Sequence, residues 1–456
     1  MTLTFPRAAT ALCFLASVLL LGQALQVSNG FYDETALAMV VAALVATVIG
    51  VLLHRWSALT SSTTPDRVIS AAALLGVLWQ LWTLATAPPV SASLPASAQT
   101  ALRATLAAEA LVIGLGMMRW PRWSRLWLAI CIVLHCGVAW WFLRAVPAPD
   151  IDVITVHTEA LRALFHGQDP YRITFENIYG ADAVHFYNPS LIVGGRLTFG
   201  FPYPPLSLLL SAPAALLAGD FRIAGIIGIA VACWLIGTAR SNRLAPLVAC
   251  LLLTTPRLFY VFEQGWTEPI VIGLVALAVR LLDRTPARAG WAVGLALAVK
   301  QYMPFTGLLA LRALWGAAQE RAWRLGTAAA IGLLVTLPFA LWHPHAFVRS
   351  AVWLQTQEPF RTDALSVLSW ADRHGWGRGT FLWAVGAGIA GSLVGLASTV
   401  PTAAGYAAST ALTLLLMFVF GSKAFCNYYV CVIGVLCCAI ALLPSPDAPT
   451  TRTTAR

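Results

Sequence analysis

Apolar runs of about 17–22 residues recur along the whole 456-residue chain, each long enough to cross a ~30 Å hydrocarbon layer as a helix. In that layer a backbone N–H or C=O has no water to bond, so a spanning segment must satisfy its hydrogen bonds internally. The runs therefore predict an all-α, polytopic transmembrane bundle. Candidate spans lie near 9–26, 35–53, 67–86, 101–118, 124–146, 204–219, 221–239, 244–262, 266–282, 288–300, 303–315, 325–342, 381–398, 402–420 and 426–444. Several are short, so about 12–15 crossings are expected. Only 11% of residues are charged, where a soluble domain carries about a quarter. The first run has no small-residue cleavage site behind it and leads through Asn29-Gly30-Phe31 into the second. It reads as a retained helix, not a signal peptide.

The net charge of +10 does not point to nucleic acid, because basic residues collect in the cytoplasmic loops of membrane proteins. The 18 Trp suit interfacial belts. Arg7, Arg55, Arg67, Arg119, Arg122 and Arg125 mark one side, while loops 27–34 and 87–100 hold no Lys or Arg. This places the N-terminus in the cytoplasm and residue 147 on the outer face of a cell membrane. In the C-terminal half, Arg284, Arg288, Arg312, Arg321 and Arg324 mark the cytoplasmic side. The halves disagree by one crossing near 204–240. The short run 204–219, with Pro204, Pro205 and Pro213, is expected not to cross in the ordinary way. The chain divides into N-terminal helices (1–146) without polar signatures, an extracytoplasmic catalytic loop (147–203), a transmembrane core (204–444) with an outer loop (343–380), and a disordered cytoplasmic tail (445–456). The nine Cys form no C-x-x-C and no ligand-spaced cluster, so buried free thiols are expected.

The longest polar interruption, 147–205, is where chemistry is expected. Of only 19 acidic residues, Asp150, Asp152 and Glu159 fall within ten positions at the end of a span. Ionisable groups at a membrane boundary are costly to desolvate. Residues 150–166 read as an amphipathic helix with Asp152, Thr155, Glu159, Arg162 and His166 along one stripe. Asp150 stands where an N-cap belongs. Asp152 suits the first turn electrostatically. Glu159 and Arg162 suit an i,i+3 surface pair. Lys300, isolated at the end of an apolar helix, is either a snorkelling interfacial lysine or a cation for a phosphate. His343 and His345 flank Pro344 but lack the further ligands of a metal site.

In order, Pro149-Asp150-Ile151-Asp152-Val153, Gly167-Gln168-Asp169-Pro170-Tyr171 and Tyr203-Pro204-Pro205-Leu206 resemble the polytopic GT-C glycosyltransferases, with glycosyltransferase family 87 the nearest group. Phe262-Glu263-Gln264-Gly265, Ala298-Val299-Lys300-Gln301-Tyr302-Met303-Pro304 and Lys423-Ala424-Phe425-Cys426-Asn427-Tyr428-Tyr429 continue the resemblance to about residue 440. It implies sugar transfer on the outer face from a polyprenyl-phosphate donor to a lipid, glycan or protein acceptor, with no cofactor. The sugar is a hexose such as mannose, or a pentose. An Asp in the first large outer loop is the family's general base, and Asp152 matches it best, counting back from Gly167. Asp150 completes a D-x-D that need not bind metal. The donor phosphate is expected at Lys300, with Arg361, Lys423 and Arg172 as alternatives. Glu159, Tyr171, Tyr203, Gln264, Glu268, Gln301, Tyr302, Asn427 and Tyr428 are the expected substrate contacts. Two other classes stay open: a transporter or flippase of lipid-linked sugars, and a non-catalytic assembly subunit of the same fold. Charges clustered at span ends on one face favour the enzyme.

Overall fold

The computed structural model describes residues 6–59, 66–87, 95–119, 121, 123–146, 148–316 and 318–443. The tail 445–456 lies outside them. The chain opens with α1 (Pro6–Ser28), α2 (Glu34–Leu59), α3 (Asp66–Thr86), α4 (Ala96–Met118) and α5 (Ser124–Ala145). At 1.5 Å per residue, their 21 to 26 residues reach roughly 31–39 Å, enough to cross. A polar segment follows: α6 (Asp152–Phe165) and a small antiparallel sheet of β1 (Phe175–Glu176), β2 (Ile192–Val193) and β3 (Arg196–Leu197), in the order β1-β3-β2. Next come α7 (Pro205–Ala218), α8 (Ile223–Gly237), α9 (Leu244–Leu253), α10 (Leu258–Glu263), α11 (Glu268–Arg284), α12 (Ala289–Ala298) and α13 (Gly307–Ala313). Then α14 (Ala318–Trp342) leads into α15 (Pro344–Phe347), a π-turn, α16 (Leu354–Gln357) and α17 (Val367–Arg373). The chain closes with α18 (Phe381–Ser398), α19 (Ala403–Val419) and α20 (Cys426–Ala441).

Among the described residues, seven helices are long and apolar enough to cross: α1–α5, α14 and α18. The bent pair α7–α8 would make eight. The remaining core helices are shorter than the hydropathy runs suggested, because turns interrupt those runs. Of these, α9, α19 and α20 are apolar on nearly every face and surrounded by protein. Helix α20 packs against α1, α9, α11 and α19.

The crossing discrepancy finds its counterpart at α7. Tyr203, just before α7, borders the same cavity as Asp152 at the start of α6. Gly219 and Asp220, just after α7, border a second cavity with Phe165 and His166 at the end of α6. The two helices thus lie side by side and run the same way. At Gly219 (φ 72°) the chain turns, and α8 leaves at 113° to α7. Helix α7 buries Leu206, Ser207, Leu208, Ser211 and Ala214 and turns Leu216 and Leu217, 65% and 89% exposed, outward. Together α7 and α8 are long and apolar enough to cross, and their sharp bend makes them a broken span or a re-entrant pair.

The N-terminal helices do carry polar groups, contrary to expectation. Ser17 and Thr47 hydrogen-bond at 2.8 Å, and Thr254 Oγ1 donates to Gln80 Oε1 at 2.9 Å. His135 Nδ1 meets Glu109 at 3.1 Å with both groups buried. Each is a single polar residue in an apolar run, so no motif shows until helices meet. The N-terminal helices are docked, not separate. Arg257 Nη2 donates to Gln26 O at 3.1 Å, and Tyr32 N to Asp363 O at 2.8 Å. Gly30, at φ +82°, lies so close to α20 that a Cβ there would sit 2.2 Å from Cys426 N.

At the other end of the bundle Arg240 grips Asp283 at 2.6 Å, and Arg284 Nη2 donates to Ala239 O at 2.8 Å. The nine Cys are free, as expected.

Candidate active site

Helix α6 starts two residues later than expected. Ile151 holds the N-cap position and makes no side-chain cap bond, and Asp150 lies exposed outside the helix. Asp150 is therefore not the cap. The helix stops where Gly167 takes φ +69° and Gln168 N donates to Ala163 O at 2.9 Å. Asp152, the first helical residue, is half-buried in the first turn, where the helix dipole favours its charge. Its Oδ1 accepts the Val153 N–H at 2.8 Å, and its Oδ2 accepts the Tyr187 hydroxyl. The Asp152 N–H donates to the Tyr179 hydroxyl at 3.2 Å. Burial, then the Asp152 charge, pushes the Tyr187 phenol well above its ordinary pKa, so it stays a donor.

Asp152 opens onto a cavity of about 150 Å³. A volume of about that size takes up one six-membered ring. Its wall brings together Asp152, Tyr187, Tyr203, Gln301 and Tyr428 with Gln355, Glu358, Arg361 and Lys423. The loop 343–380 thus lines the same cavity as the start of α6. Gln355 Nε2 holds Pro202 O at 3.2 Å. Arg361 forks onto Asp363 at 2.8 and 2.6 Å and lies between Phe186 and Phe425, 4.6 and 4.8 Å from their ring centres. Lys423 pairs with Glu358. Burial lowers the Lys423 ammonium to about 7.

Lys300 does not line this cavity. It is 5% exposed and lies behind the Tyr203 wall, its Nζ 3.3 Å from Glu268 Oε1 and 4.0 Å from the Tyr203 ring centre. Glu268 is fully buried; the Tyr302 hydroxyl reaches its Oε1 at 3.4 Å and its Oε2 has no partner. On the far side of Tyr203 stands His157, also fully buried, its ring stacked 4.9 Å from Phe221. Its Nδ1–H donates to Val153 O at 3.0 Å, and burial, then the Lys300 charge, pushes it down to about 3, so it is neutral.

Other expected contacts fall elsewhere. Arg172 Nη1 donates to His343 Nε2 at 3.0 Å, and His343 Nδ1–H to Asp169 Oδ2 at 2.8 Å, so Arg172 and His343 tie the polar segment to α14. No metal-competent cluster of His, Cys, Asp or Glu occurs among the described residues. Tyr171 is core: it packs on Phe339 and Phe347, and its hydroxyl holds Tyr203 O at 2.8 Å. Gly200 lies against it, where a Cβ would be 2.2 Å from Tyr171 O. Glu159, half-buried, Gln264 and Asn427, both buried, do not border the cavity. Tyr302 does not border it; its hydroxyl reaches Glu268 behind the Tyr203 wall, and its ring lies 5.9 Å from that of Tyr428, which does border it. Sequence reasoning missed Tyr179, Phe186, Tyr187 and Phe199. The only signal was an unusual density of aromatics in a loop of no helical period.

A groove of about 810 Å³ runs along α12, α13 and α14, lined by Leu297, Ala298, Pro304, Leu308, Ala329 and Leu333, among other apolar residues. Ala298 and Pro304 bracket Gln301, which borders the Asp152 cavity.

No curated protein matches the chain, and no solved structure does. The model of glycosyltransferase family 87 matches residues 201–426, which include Tyr203, Lys300, Arg361 and Lys423 and stop short of the α6 loop that carries Asp152. By that match the chain resembles glycosyltransferase family 87, and its bundle of long apolar helices is that of a multi-pass membrane protein.

Proposed function

We propose that this membrane glycosyltransferase moves a sugar from a polyprenyl-phosphate donor to an acceptor hydroxyl on the outer face, with inversion at the anomeric carbon. The reading is carried by one cavity that holds a carboxylate with free lone pairs, Asp152, and two cations, Arg361 and Lys423. A carboxylate has about four lone-pair sites, and the contacts described use two. Asp152 takes the acceptor proton as its oxygen attacks the anomeric carbon. The new C–O bond forms as the bond to the phosphate oxygen breaks, and polyprenyl phosphate leaves with the electron pair. Arg361 and Lys423 meet the charge that develops on it.

The apolar groove supports a lipid-linked donor, since its end lies within a turn of the cavity and nothing in it would hold a nucleotide. The orientation rests on α11, which runs from Glu268, behind the Tyr203 wall, to Arg284 in the basic cluster. The cavity and the basic cluster are at opposite ends, and basic ends face the cytoplasm. The test is transfer by purified protein in proteoliposomes, offered mannose on polyprenyl phosphate or on a nucleotide. Transfer from the lipid donor alone is expected, with Asp152→Asn folded yet slower by about a hundredfold or more. Transfer from the nucleotide, or an Asp152→Asn that transfers at near wild-type rate, overturns the reading.

A further inference from the structure

A second cavity, of about 410 Å³, lies on the other side of α6, away from Asp152. One wall is α6, with Ile154, Leu161, Arg162, Phe165 and His166; the other is the α7–α8 corner, with Ala215, Gly219 and Phe221. None of these residues borders the Asp152 cavity.

The cavity is apolar inside and basic at its edge. Asp220, its one acid, is already neutralised: Arg222 forks onto it at 2.7 to 3.1 Å and spends a further N–H on Glu263 O. Arg162 is different. It is exposed, and among the described residues no carboxylate pairs with it. One turn on, His166 is also exposed, its Nδ1–H donating to Arg162 O at 2.7 Å. A second cation stands beside the corner: Arg144, at the end of α5, stacks on Trp140 and donates to Ala218 O at 3.2 Å. A Trp–Arg pair at the end of a spanning helix marks the headgroup level. Leu216 and Leu217, immediately before Gly219, project their exposed apolar side chains from the same corner.

A ligand that fits must be amphipathic, with an anionic head at Arg162, beside His166, and a tail lying against Leu216 and Leu217. We propose that this pocket binds the phosphate headgroup of an anionic phospholipid of the surrounding bilayer, seated between α6 and the α7–α8 corner. The bound lipid occupies the gap left where α7 turns away from α6 and α8 enters the membrane. It stands independently of the sugar-transfer reading, because it uses no residue of that cavity.

The test is native mass spectrometry on protein released from nanodiscs of phosphatidylcholine with one-fifth phosphatidylglycerol. Wild type is expected to retain one phosphatidylglycerol preferentially, and Arg162→Lys to keep it. Arg162→Gln and Arg162→Gln/His166→Gln are expected to lose it at least tenfold, with unchanged melting temperature in detergent. Retention of phosphatidylcholine as readily as phosphatidylglycerol overturns the proposal. So does unchanged retention in the double variant, or displacement of the lipid by millimolar inorganic phosphate, which marks a bare anion site. Photocrosslinking from a benzophenone at Leu217 reads the tail separately: labelled lipid is expected, and labelled protein alone counts against it.

Discussion

Asp152 offers free lone pairs to a cavity, whereas Asp150, two residues earlier, is exposed and caps nothing. Asp152→Asn is expected to lower transfer by about 10²–10⁴-fold, the usual scale of a general base. Asp150→Asn is expected to stay within about twofold in the same assay. Lys300 invites the opposite error, since an isolated lysine reads as a phosphate ligand. Buried against Glu268 and the face of Tyr203, it reaches the cavity only through that wall. Lys300→Met leaves Glu268 charged and unpaired, at a cost of about 3–5 kcal/mol. Adding Glu268→Leu is expected to restore most of the lost stability and part of the activity, whereas a direct phosphate ligand would show no rescue. Lys423 sets a pH limb. Burial lowers its pKa to about 7, so its charge is present below that pH and lost above it. Donor KM is expected to rise as pH increases through about 7, and Lys423→Arg to abolish the rise. Glu358→Gln removes the neighbouring negative charge and is expected to move the limb to lower pH.

At the level of elements, α6 and α7 show what sequence could reach. The amphipathic helix, its carboxylate and the irregular run after it were all legible, because periodicity and prolines are local signals. The first helical residue was not: capping depends on where Ile151 settles against the preceding turn. Tyr187 and Glu358 were invisible as partners because their contacts cross 35 and 65 positions, respectively, to Asp152 and Lys423. The bend between α7 and α8 makes a prediction of its own, that α7 does not cross. In a cysteine-free background, Tyr203→Cys and Asp220→Cys should both react with a membrane-impermeant maleimide added outside intact cells, and Arg243→Cys should not. Labelling of residues 203 and 220 from opposite sides would mean that α7 crosses.

For the molecule as a whole, the N-terminal helices and the loop 343–380 form one mechanical unit. Tyr32 N reaches Asp363 O, Phe31 bridges Ala364, and Gly30 lies against α20. Gly30→Ala is expected to lower the melting temperature markedly, because a side chain there needs a strained φ and overlaps Cys426 N. In the proposed reaction Arg361 and Lys423 meet the leaving group, so EDTA is expected to leave transfer intact; loss restored by Mg²⁺ or Mn²⁺ would assign that role to a metal. Arg361 and Lys423 are not idle cations, however, since Asp363 and Glu358 already hold them. An arriving phosphate must swap places with those carboxylates, as a solute anion displaces the counterion from an exchange resin. The displaced carboxylates belong to the loop that is stitched to Tyr32, so donor loading should slacken that seam and expose the Tyr32 amide, whose N–H is held by Asp363 O, to faster hydrogen exchange.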